Sequence, residues 1–445
     1  MSSPSFAERT ITDSNASSPS SADAICVARS NCRICGSSVL TPVIDLGAQH
    51  IASIFVSGDV PDYLDRPYPL EVVRCAAPDG CGLVQLRHSI APRVLYSNYG
   101  YRSGTNELMR ANLHDIARQV ENLVQLQPGD TVLDIGCNDG TLLTSYETTG
   151  LDKVGIDPAP NVAEVARTKG LDVVNDFFSA RAFRGARPDR QARVVTSIAM
   201  FYDLEAPMRF VADVASVLAD DGVWVIELSY LPTMLERNSF DTVCHEHLEY
   251  YALRQIEWML EKHGLRVHRL QMNDVNGGSF RLFIRKAAAG DPTRADAAVI
   301  AAVREQEREL ALDSERPYAV FREHVDGVRD ELVTLLRNLK RDGKRVYVYG
   351  ASTKGNTILQ FCGIDHTLVE KAADRNPDKW GRRTLGTDIP IVSEEQARGE
   401  APEYFLVLPW HFVDGFFARE ADFLARGGKF ILPLPHARVV GANAS

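Results

Sequence analysis

The sequence contains no apolar run of about 18 residues, the length that a membrane helix needs. Its first 30 residues are rich in Ser, Ala and Asp and have no apolar segment that could form a signal-peptide core. The formal net charge is −10, whereas nucleic-acid-binding proteins usually show a basic face. We therefore expect a cytoplasmic protein, a monomer or weak homo-oligomer, that binds neither membrane nor nucleic acid. We expect residues 1–30 to form a disordered tail.

The chain has 445 residues, which is too many for one ordinary core, so two or three domains are expected. Residues 31–107 are turn-rich with short strands, and residues 108–288 alternate between strand and helix patterns. Residues 289–342 have helical spacing and dense charge, which indicates a helical connector. Residues 343–445 return to strand–helix alternation and predict a second, smaller α/β domain.

The central segment carries the apolar runs TVLDIG, KVGID, DVVND, RVVTSI and VWVIEL, separated by helical stretches. This rhythm predicts a parallel sheet with crossover helices. Two further strands, LRVHRLQMND and SFRLFIRK, are joined by VNGG, which indicates a hairpin. A parallel sheet closed by an antiparallel hairpin is typical of the Rossmann-like class I methyltransferase fold, so the predicted class is α/β.

Four of the eight cysteines form two close pairs in the sequence: Cys32 with Cys35, and Cys75 with Cys81. Two thiolate pairs supply the tetrahedral sulfur ligands of a structural zinc site. The second pair has five intervening residues instead of two, so Cys75 and Cys81 could instead be small buried residues. Cys26 is a less favoured substitute ligand. Four cysteine ligands leave no open position, so this metal is not expected to catalyse a reaction.

The motif TVLDIGCNDGTLL predicts a ligand-binding loop at the end of the first strand of the central sheet. The strand delivers Asp134, and the chain turns through Gly136, Asn138 and Gly140 before a helix begins at Thr141. The spacing is G-x-x-x-G, unlike the G-x-G-x-x-G of dinucleotide-binding folds. The simplest alternative is that these residues only cap helices and form turns.

Acidic residues also follow the next two strands. Asp157 stands where a ribose diol would be held, and Asp176 with Phe177 could bind and cover an adenine ring. Together with the loop, these positions predict a cofactor crevice at the carboxyl edge of the sheet.

The sequence CHEHLEYY begins at Cys244 and contains a His-Glu-His strip. In an extended conformation His245 and His247 would point one way and Glu246 the other. Histidine can remove a proton near neutral pH, and a carboxylate can orient it, which favours a catalytic role. A second metal site and a structural hydrogen-bonded pair are the alternatives, although no third metal ligand is evident.

In this order, the Cys pairs, DIGCNDGTLL, CHEHLEYY, NGGSFR, YGASTKGNT, DRNPDKWGRRTLGTDIPI and LPWHF resemble the sugar-nucleotide C-methyltransferases. These enzymes methylate C3 of thymidine-diphosphate 4-keto deoxysugars. The resemblance extends from Asn31 to about Pro435. It implies S-adenosylmethionine as cofactor, a zinc-binding N-terminal module, a central methyltransferase domain and a C-terminal Rossmann-like domain, with a nucleotide-linked keto sugar between them.

The resemblance also implies residue roles. His247 would be the base with Glu246 beside it, and Tyr99 and Tyr101 would face the sugar. Further substrate contacts are expected at the following residues: Cys244, Phe201 and Asn276. The family commonly has Tyr at the position of Cys244 and His at that of Phe201, and both positions line the pocket in relatives, so the resemblance does not specify the sugar.

The loop GASTKGNT resembles a phosphate loop, but its lysine precedes the second glycine, so G-x-x-x-x-G-K-[ST] is not satisfied. ATP hydrolysis is therefore disfavoured. Gly350, Lys354 and Gly355 could still contact a nucleotide diphosphate through N–H groups and charge. The alternative is a Rossmann-like domain used only for packing.

Overall fold

The computed structural model describes residues 25–96 and 99–442. The N-terminal module is built from antiparallel strands, of which two are long, at 10 and 8 residues, and the others have two or three residues. Its elements are β1 Cys26–Ala28, β2 Leu40–Gln49, β3 Phe55–Val56, β4 Tyr68–Cys75, β5 Val84–Leu86, β6 His88–Ile90 and α1 Pro92–Leu95. β1 pairs with β6, and β2, β4 and β5 form a sheet. The expectation of a tail over residues 1–30 is wrong for Cys26–Ala28, because this strand pairs with His88–Ile90. Residues 1–24 lie outside the described residues.

The central domain contains one seven-stranded sheet with helices on both faces. Its elements are α2 Glu107–Val124, β7 Thr131–Ile135, α3 Thr141–Thr144, β8 Asp152–Ile156, α4 Pro160–Thr168, β9 Asp172–Val174, α5 Ala180–Ala186, β10 Ala192–Ile198, α6 Pro207–Val217, β11 Leu218–Ser229, α7 Leu231–Glu236, β12 Glu249–Tyr250, α8 Leu253–Glu261, β13 Leu265–Asn273 and β14 Ser279–Lys286. The strand order is β13-β14-β11-β10-β7-β8-β9, and β14 runs antiparallel to its neighbours. The predicted parallel sheet with a closing hairpin is confirmed.

Two helices follow, α9 Arg294–Leu310 and α10 Arg316–Arg341. In α10 the buried side chains recur every three or four residues, which places them on one face of the helix. They are Tyr318, Phe321, Val325, Val328, Leu332, Leu336 and Leu339. Because α10 packs against β2 of the N-terminal module and against strand Val346–Tyr349 of the C-terminal domain, it joins these two parts of the molecule.

The C-terminal domain is Rossmann-like and has a sheet of its own. Its elements are β15 Val346–Tyr349, α11 Thr353–Phe361, β16 Ala372–Asp374, β17 Arg383–Thr384, β18 Ile391–Ser393, α12 Glu394–Glu400, β19 Tyr404–Val407, α13 Val413–Arg419, α14 Ala421–Ala425, β20 Lys429–Leu432 and β21 Arg438–Val440. The strand order is β18-β16-β15-β19-β20-β21, and only β21 is antiparallel to its neighbour in this sheet. Short 3-10 helices connect several elements of the chain, at Ser103–Thr105, Phe201–Asp203, Phe240–Thr242, Val275–Gly277, Ala287–Ala289, Pro377–Lys379 and Trp410–Phe412.

Backbone pairing joins the three parts. β12 of the central domain extends the N-terminal sheet, with Glu249 opposite Gln85. β3 of the N-terminal module pairs with β17 of the C-terminal domain, with Phe55 opposite Thr384. Strand pairing therefore links the central domain to the N-terminal module, and the N-terminal module to the C-terminal domain, by hydrogen bonds as well as by packing. No helix within residues 25–96 and 99–442 has the length and apolar content required to cross a bilayer.

Candidate active site

The loop after β7 and the ends of β8, β9 and β10 enclose a deep cavity at the carboxyl edge of the central sheet. Predicted cofactor residues in its lining are Asp134, Gly136, Asn138, Asp157 and Phe177. Gly136 has φ +71°, and Asn138 has φ +51°, so the loop needs residues that tolerate the left-handed region at both positions. Most of the remaining wall is apolar, with Leu142, Ile156, Phe178 and Phe210 among its side chains.

Two carboxylates stand at one side of this cavity. Thr196 Oγ1 donates to Asp134 Oδ1 at 2.6 Å, and burial, with Asp157 nearby, raises the pKa of Asp134 to about 7. The main-chain amides of Asn138 and Ala159 donate to Asp157 at 2.8 and 2.9 Å. These amides fix the orientation of the Asp157 carboxylate. An apolar cavity with two buried acids fits a ligand that joins an aromatic base to positive charge, as S-adenosylmethionine does.

Gly140 and Asp176, two further predicted cofactor residues, do not line this cavity. Gly140 has φ +75°, and a Cβ there would lie 2.2 Å from Leu171 Cδ1. The positive φ and the close approach of Leu171 both favour glycine at this position. Asp176 is exposed, and its Oδ1 accepts a hydrogen bond from the Phe177 amide, so it shapes the turn that places Phe177.

The His-Glu-His strip is a turn, and the extended conformation predicted for it is wrong. The His247 amide donates to the Cys244 carbonyl at 3.1 Å, which closes the turn. The two imidazoles consequently point to different surroundings. His245 packs edge-on against Tyr68 of the N-terminal module, whereas His247 packs against Tyr202, with ring centroids 4.5 Å apart.

The ring of His247 is fixed in one tautomer. Its Nδ1 lies 2.7 Å from the Thr242 carbonyl oxygen. Since a carbonyl can only accept, Nδ1 carries the hydrogen and Nε2 carries the lone pair. Burial, together with the positive charge of Lys354, lowers the pKa of His247 to about 4. The imidazole is therefore neutral at physiological pH, in the form that can accept a proton at Nε2.

The other two members of the strip are fully enclosed. His245 is 1% exposed, its Nε2 lies 3.3 Å from the Tyr68 carbonyl, and burial lowers its pKa to about 4. Glu246 is 5% exposed, and burial raises its pKa although Ser53 lies beside it. Of the three residues, only His247 is partly exposed. Within the described residues the metal-ligand cluster found is the four-cysteine set, which gives no support to a second metal at the strip.

Tyr99 and Tyr101 both line the cofactor cavity, and Tyr99 also lines a neighbouring cleft. Tyr99 is held by a reciprocal pair of hydrogen bonds between its main chain and the Asn161 side chain, at 3.1 and 2.8 Å. Burial, with the carboxylates Asp203 and Glu246 nearby, raises the pKa of Tyr99. The tyrosine hydroxyl therefore stays protonated and can donate a hydrogen bond.

Three residues of this site were not predicted from the sequence. Asp203 and Tyr96 line the cofactor cavity, and Tyr202 supports the His247 ring. Asp203 is half-buried at the cavity wall, and desolvation, with Glu246 nearby, raises its pKa well above the ordinary value. Asp203 could have been found from the sequence. It follows β10, the fourth strand of the domain, and so lies at the carboxyl edge of the sheet, as Asp134 and Asp157 do.

Phe201 and Cys244 were expected to line the substrate pocket, and they line neither the cofactor cavity nor the neighbouring cleft. Phe201 is fully buried among Phe210, Trp224 and Tyr251, with ring centroids 5.3 to 5.6 Å away. It is a core residue, and its neighbours Met200 and Asp203 reach the cavity instead. Cys244 is also fully buried, beside Glu246.

The phosphate-loop-like segment does not offer its glycine amides to a ligand, which corrects the prediction for Gly350 and Gly355. The Gly350 amide donates to the Ala373 carbonyl at 2.8 Å, and the Gly355 amide donates to Ser352 Oγ at 3.0 Å. A Cβ at either glycine would lie 2.6 Å from a neighbouring side chain, Pro409 or Leu408. The glycines therefore serve close packing of α11.

Helix α11 instead holds the other parts of the molecule together. Lys354 Nζ donates to the Asn276 carbonyl at 2.8 Å, Asn356 Nδ2 to the Ala52 carbonyl at 2.6 Å and Thr357 Oγ1 to the Val243 carbonyl at 3.1 Å. Asn276, with φ +55°, contributes its main chain to this contact. Burial lowers the pKa of Lys354, although Asp241 opposes that change.

The four predicted zinc ligands come together at the edge of the N-terminal sheet. Their sulfur atoms all lie within 4.8 Å of one another, with Cys32 to Cys81 at 3.4 Å and Cys35 to Cys75 at 3.5 Å. Zn–S bonds of about 2.3 Å in a tetrahedron require sulfurs about 3.8 Å apart, so the set fits zinc. Cys26 lies outside the cluster.

Three family descriptions match consecutive parts of the chain. A zinc binding domain matches residues 32–96, a methyltransferase domain residues 101–270 and a C-methyltransferase C-terminal domain residues 274–435. The chain is 33% identical over 415 residues to the C-methyltransferase NovU of Streptomyces niveus. That alignment covers 93% of this chain and 97% of NovU.

Solved methyltransferases match the chain over a smaller part. The mitomycin 7-O-methyltransferase MmcR is 18% identical, with a TM-score of 0.32 over 41% of this chain and 55% of MmcR. The magnesium protoporphyrin IX methyltransferase ChlM from Synechocystis PCC 6803 is 15% identical, with a TM-score of 0.32 over 40% of this chain and 88% of ChlM. At these TM-scores the similarity carries no information on function.

We predict one zinc ion per chain. Cys35→Ser and Cys81→Ser should lose the metal and lower the thermal midpoint by roughly 5 °C or more, because bound zinc stabilises only the folded state. Metal analysis and calorimetry measure both effects. Cys26→Ser is the matched control and should retain zinc. Two zinc ions per chain would contradict this assignment and favour a second metal at His245 and His247.

We also predict that cofactor affinity depends on pH through Asp134. The cationic ammonium of S-adenosylhomocysteine should prefer the ionised carboxylate, which is populated above pH 7 because the pKa of Asp134 is raised to about 7. Affinity measured by titration calorimetry should rise roughly tenfold from pH 6 to pH 8. Asp134→Asn should bind more weakly and lose this dependence. An identical pH profile in the variant would exclude Asp134 as its cause.

Proposed function

Because the chain belongs to the S-adenosylmethionine-dependent C-methyltransferases, we propose that its acceptor is a nucleotide-linked 4-keto deoxysugar, methylated at C3. The observation that carries this proposal is the neutral His247 imidazole, whose Nε2 lone pair is left available by the hydrogen bond between Nδ1 and Thr242. We further propose a cytoplasmic location, since reduced cysteines are needed for the zinc cluster, and a monomer or weak homo-oligomer.

A carbon atom is a poor nucleophile until a neighbouring ketone makes its proton removable. His247 takes that proton at Nε2, and the Tyr202 ring and the Thr242 carbonyl hold the imidazole in place while it does so. The resulting enolate places negative charge on the ketone oxygen. Lys354, whose charge acts on His247, and the protonated Tyr99 hydroxyl are the donors proposed to stabilise that oxygen.

When bound, S-adenosylmethionine supplies an electrophilic methyl group on its sulfonium. The residues that would hold it are those of the cofactor cavity, above all Asp134, Asn138 and Asp157. Phe177 and Tyr96, with ring centroids 6.2 Å apart, form one edge of this cavity and limit access of water.

The contributions of the general base and of substrate positioning to the rate explain why a methyl transfer uses a protein of three parts. A general base contributes roughly a hundred- to ten-thousandfold, or about 3 to 5 kcal/mol. Holding the two reactants in line contributes about 7 to 11 kcal/mol. Positioning is therefore the larger effect, and it requires the acceptor to be fixed by more than one part of the molecule.

The direct test is a panel of nucleotide-linked 4-keto sugars offered with methyl-labelled cofactor. The proposal predicts labelled product with a new C–C bond at C3, detected by carbon NMR. Label on oxygen or nitrogen would show an O- or N-methyltransferase. Cofactor binding without release of S-adenosylhomocysteine for any member of the panel would point to a binding protein.

His247→Asn should lower turnover by roughly a hundredfold or more, because the base is lost while the side chain stays polar. The affinity for S-adenosylhomocysteine should stay within about twofold of wild type, since His247 does not line the cofactor cavity. Steady-state kinetics and calorimetry separate the two effects. His366→Asn, at an exposed position of the C-terminal domain, is the control. Unchanged turnover in the His247 variant would remove it from the base role.

A further inference from the structure

Residues 99–105 lead from the N-terminal module to α2 and form one wall of the cofactor cavity. Tyr99, Tyr101 and Ser103 line that cavity, and Tyr99 also lines the neighbouring cleft. We call this segment the tyrosine strap. Its regular structure is limited to the 3-10 helix Ser103–Thr105, so its position depends on hydrogen bonds to other parts of the chain.

One side chain of the cofactor loop holds the middle of the strap. Asn138 Oδ1 accepts a hydrogen bond from the Ser103 amide at 3.0 Å, and Asn138 Nδ2 donates to the Tyr101 carbonyl at 3.1 Å. A carboxamide accepts at one atom and donates at the other, so it bonds the strap as a neighbouring main chain would. Since Asn138 is 8% exposed, water has little access to compete for these two bonds.

The main chain of Asn138 belongs to the cofactor site. Its amide donates to Asp157 Oδ2 at 2.8 Å, and its φ of +51° lies in the left-handed region. Gly, Asn and Asp are the residues that adopt this region at the least cost. Asn138 therefore joins an acid of the cofactor site to the strap within a single residue.

The two ends of the strap are held independently of these two bonds. At one end the Tyr99 main chain exchanges two hydrogen bonds with the Asn161 side chain. At the other end the Gly104 amide donates to Asp139 Oδ2 at 3.0 Å, and a Cβ at Gly104 would lie 2.6 Å from that oxygen, so glycine permits the close approach. Loss of the carboxamide would therefore release the middle of the strap and leave both ends attached.

We propose that Asn138 is a positioning residue, whose side chain couples the cofactor loop to the strap and so places Tyr99 and Tyr101 for the acceptor. Because the same residue lies in the cofactor loop, cofactor binding orders the strap, and an ordered strap in turn favours cofactor binding. The acceptor then meets a complete wall after the cofactor has bound. The part of this inference that concerns the acceptor rests on the function proposed above.

Two substitutions test this role on the full zinc-loaded chain. Asn138→Gly keeps the left-handed conformation and removes both bonds to the strap, and Asn138→Asp keeps the acceptor but removes the donor. At saturating cofactor and with a nucleotide-linked keto sugar, kcat should fall roughly tenfold or more in Asn138→Gly, because misplaced tyrosines affect the reaction more than cofactor binding. Asn138→Asp should also lower kcat. Asn122→Ala, at an exposed asparagine of α2 outside the cavity, is the control and should keep the wild-type kcat.

Hydrogen exchange follows the strap without any acceptor. In wild type, S-adenosylhomocysteine should slow exchange of the Ser103 amide about threefold, because cofactor and strap stabilise each other. In Asn138→Gly that amide should exchange roughly tenfold faster than in wild type and should not respond to S-adenosylhomocysteine, whereas the Gly104 amide, held by Asp139, should change less. Since the coupling is reciprocal, Asn138→Gly should bind S-adenosylhomocysteine at most about threefold more weakly.

A raised KM for the cofactor with an unchanged kcat in both Asn138 variants would make Asn138 a cofactor contact and overturn the inference, as would wild-type exchange of Ser103 in Asn138→Gly. If zinc content and thermal midpoint show that Asn138→Gly does not fold, the kcat of Asn138→Asp decides. The exchange measurement separates this inference from the proposed function. Altered exchange in a protein that methylates no keto sugar would retain the strap contact and reject the acceptor.

Discussion

The hydrogen bond between His247 Nδ1 and the Thr242 carbonyl is the contact on which the chemistry of this site depends. A carbonyl can only accept, so this one bond decides which ring nitrogen carries the proton and leaves Nε2 as the basic atom. The turn closed by the His247 amide and the Cys244 carbonyl holds the ring beside Tyr202. Lys354, reaching from another domain, helps to keep the ring neutral. The proposed base is therefore defined by contacts from distant parts of the sequence.

The three parts of the chain are also held together by hydrogen bonds between residues that are distant in the sequence. Helix α11 donates side-chain hydrogen bonds to the N-terminal module, to the segment before the His-Glu-His turn and to the hairpin before β14. Backbone pairing of β12 with β5 joins the central domain to the N-terminal module, and pairing of β3 with β17 joins that module to the C-terminal domain. The four-cysteine cluster joins the loop before β2 to the loop after β4 in the N-terminal module. The cavities that meet at Tyr99 are thus bounded by elements that are hydrogen-bonded to one another.

Much of the central domain could be predicted because its signals are local. The strand pattern, the hairpin, the acids Asp134 and Asp157 at strand ends and the pairing of four cysteines all follow from short stretches of sequence. The failures concern contacts between distant residues. The pattern of Gly350 and Gly355 suggested phosphate binding, but their tight packing against Pro409 and Leu408 depends on the segment directly after β19. Likewise, the core position of Phe201 is set by Trp224 and Tyr251, and spacing alone could not show it.

Proton removal from the acceptor carbon can be measured without methyl transfer. A nucleotide-linked 4-keto deoxysugar is incubated with the protein and S-adenosylhomocysteine in deuterated water, and deuterium at C3 is followed by proton NMR. A base that forms the enolate before transfer predicts that deuterium enters C3 faster than it does without protein. No exchange at C3 beyond the protein-free rate, under conditions in which the same preparation methylates that sugar, would contradict an enolate formed independently by His247.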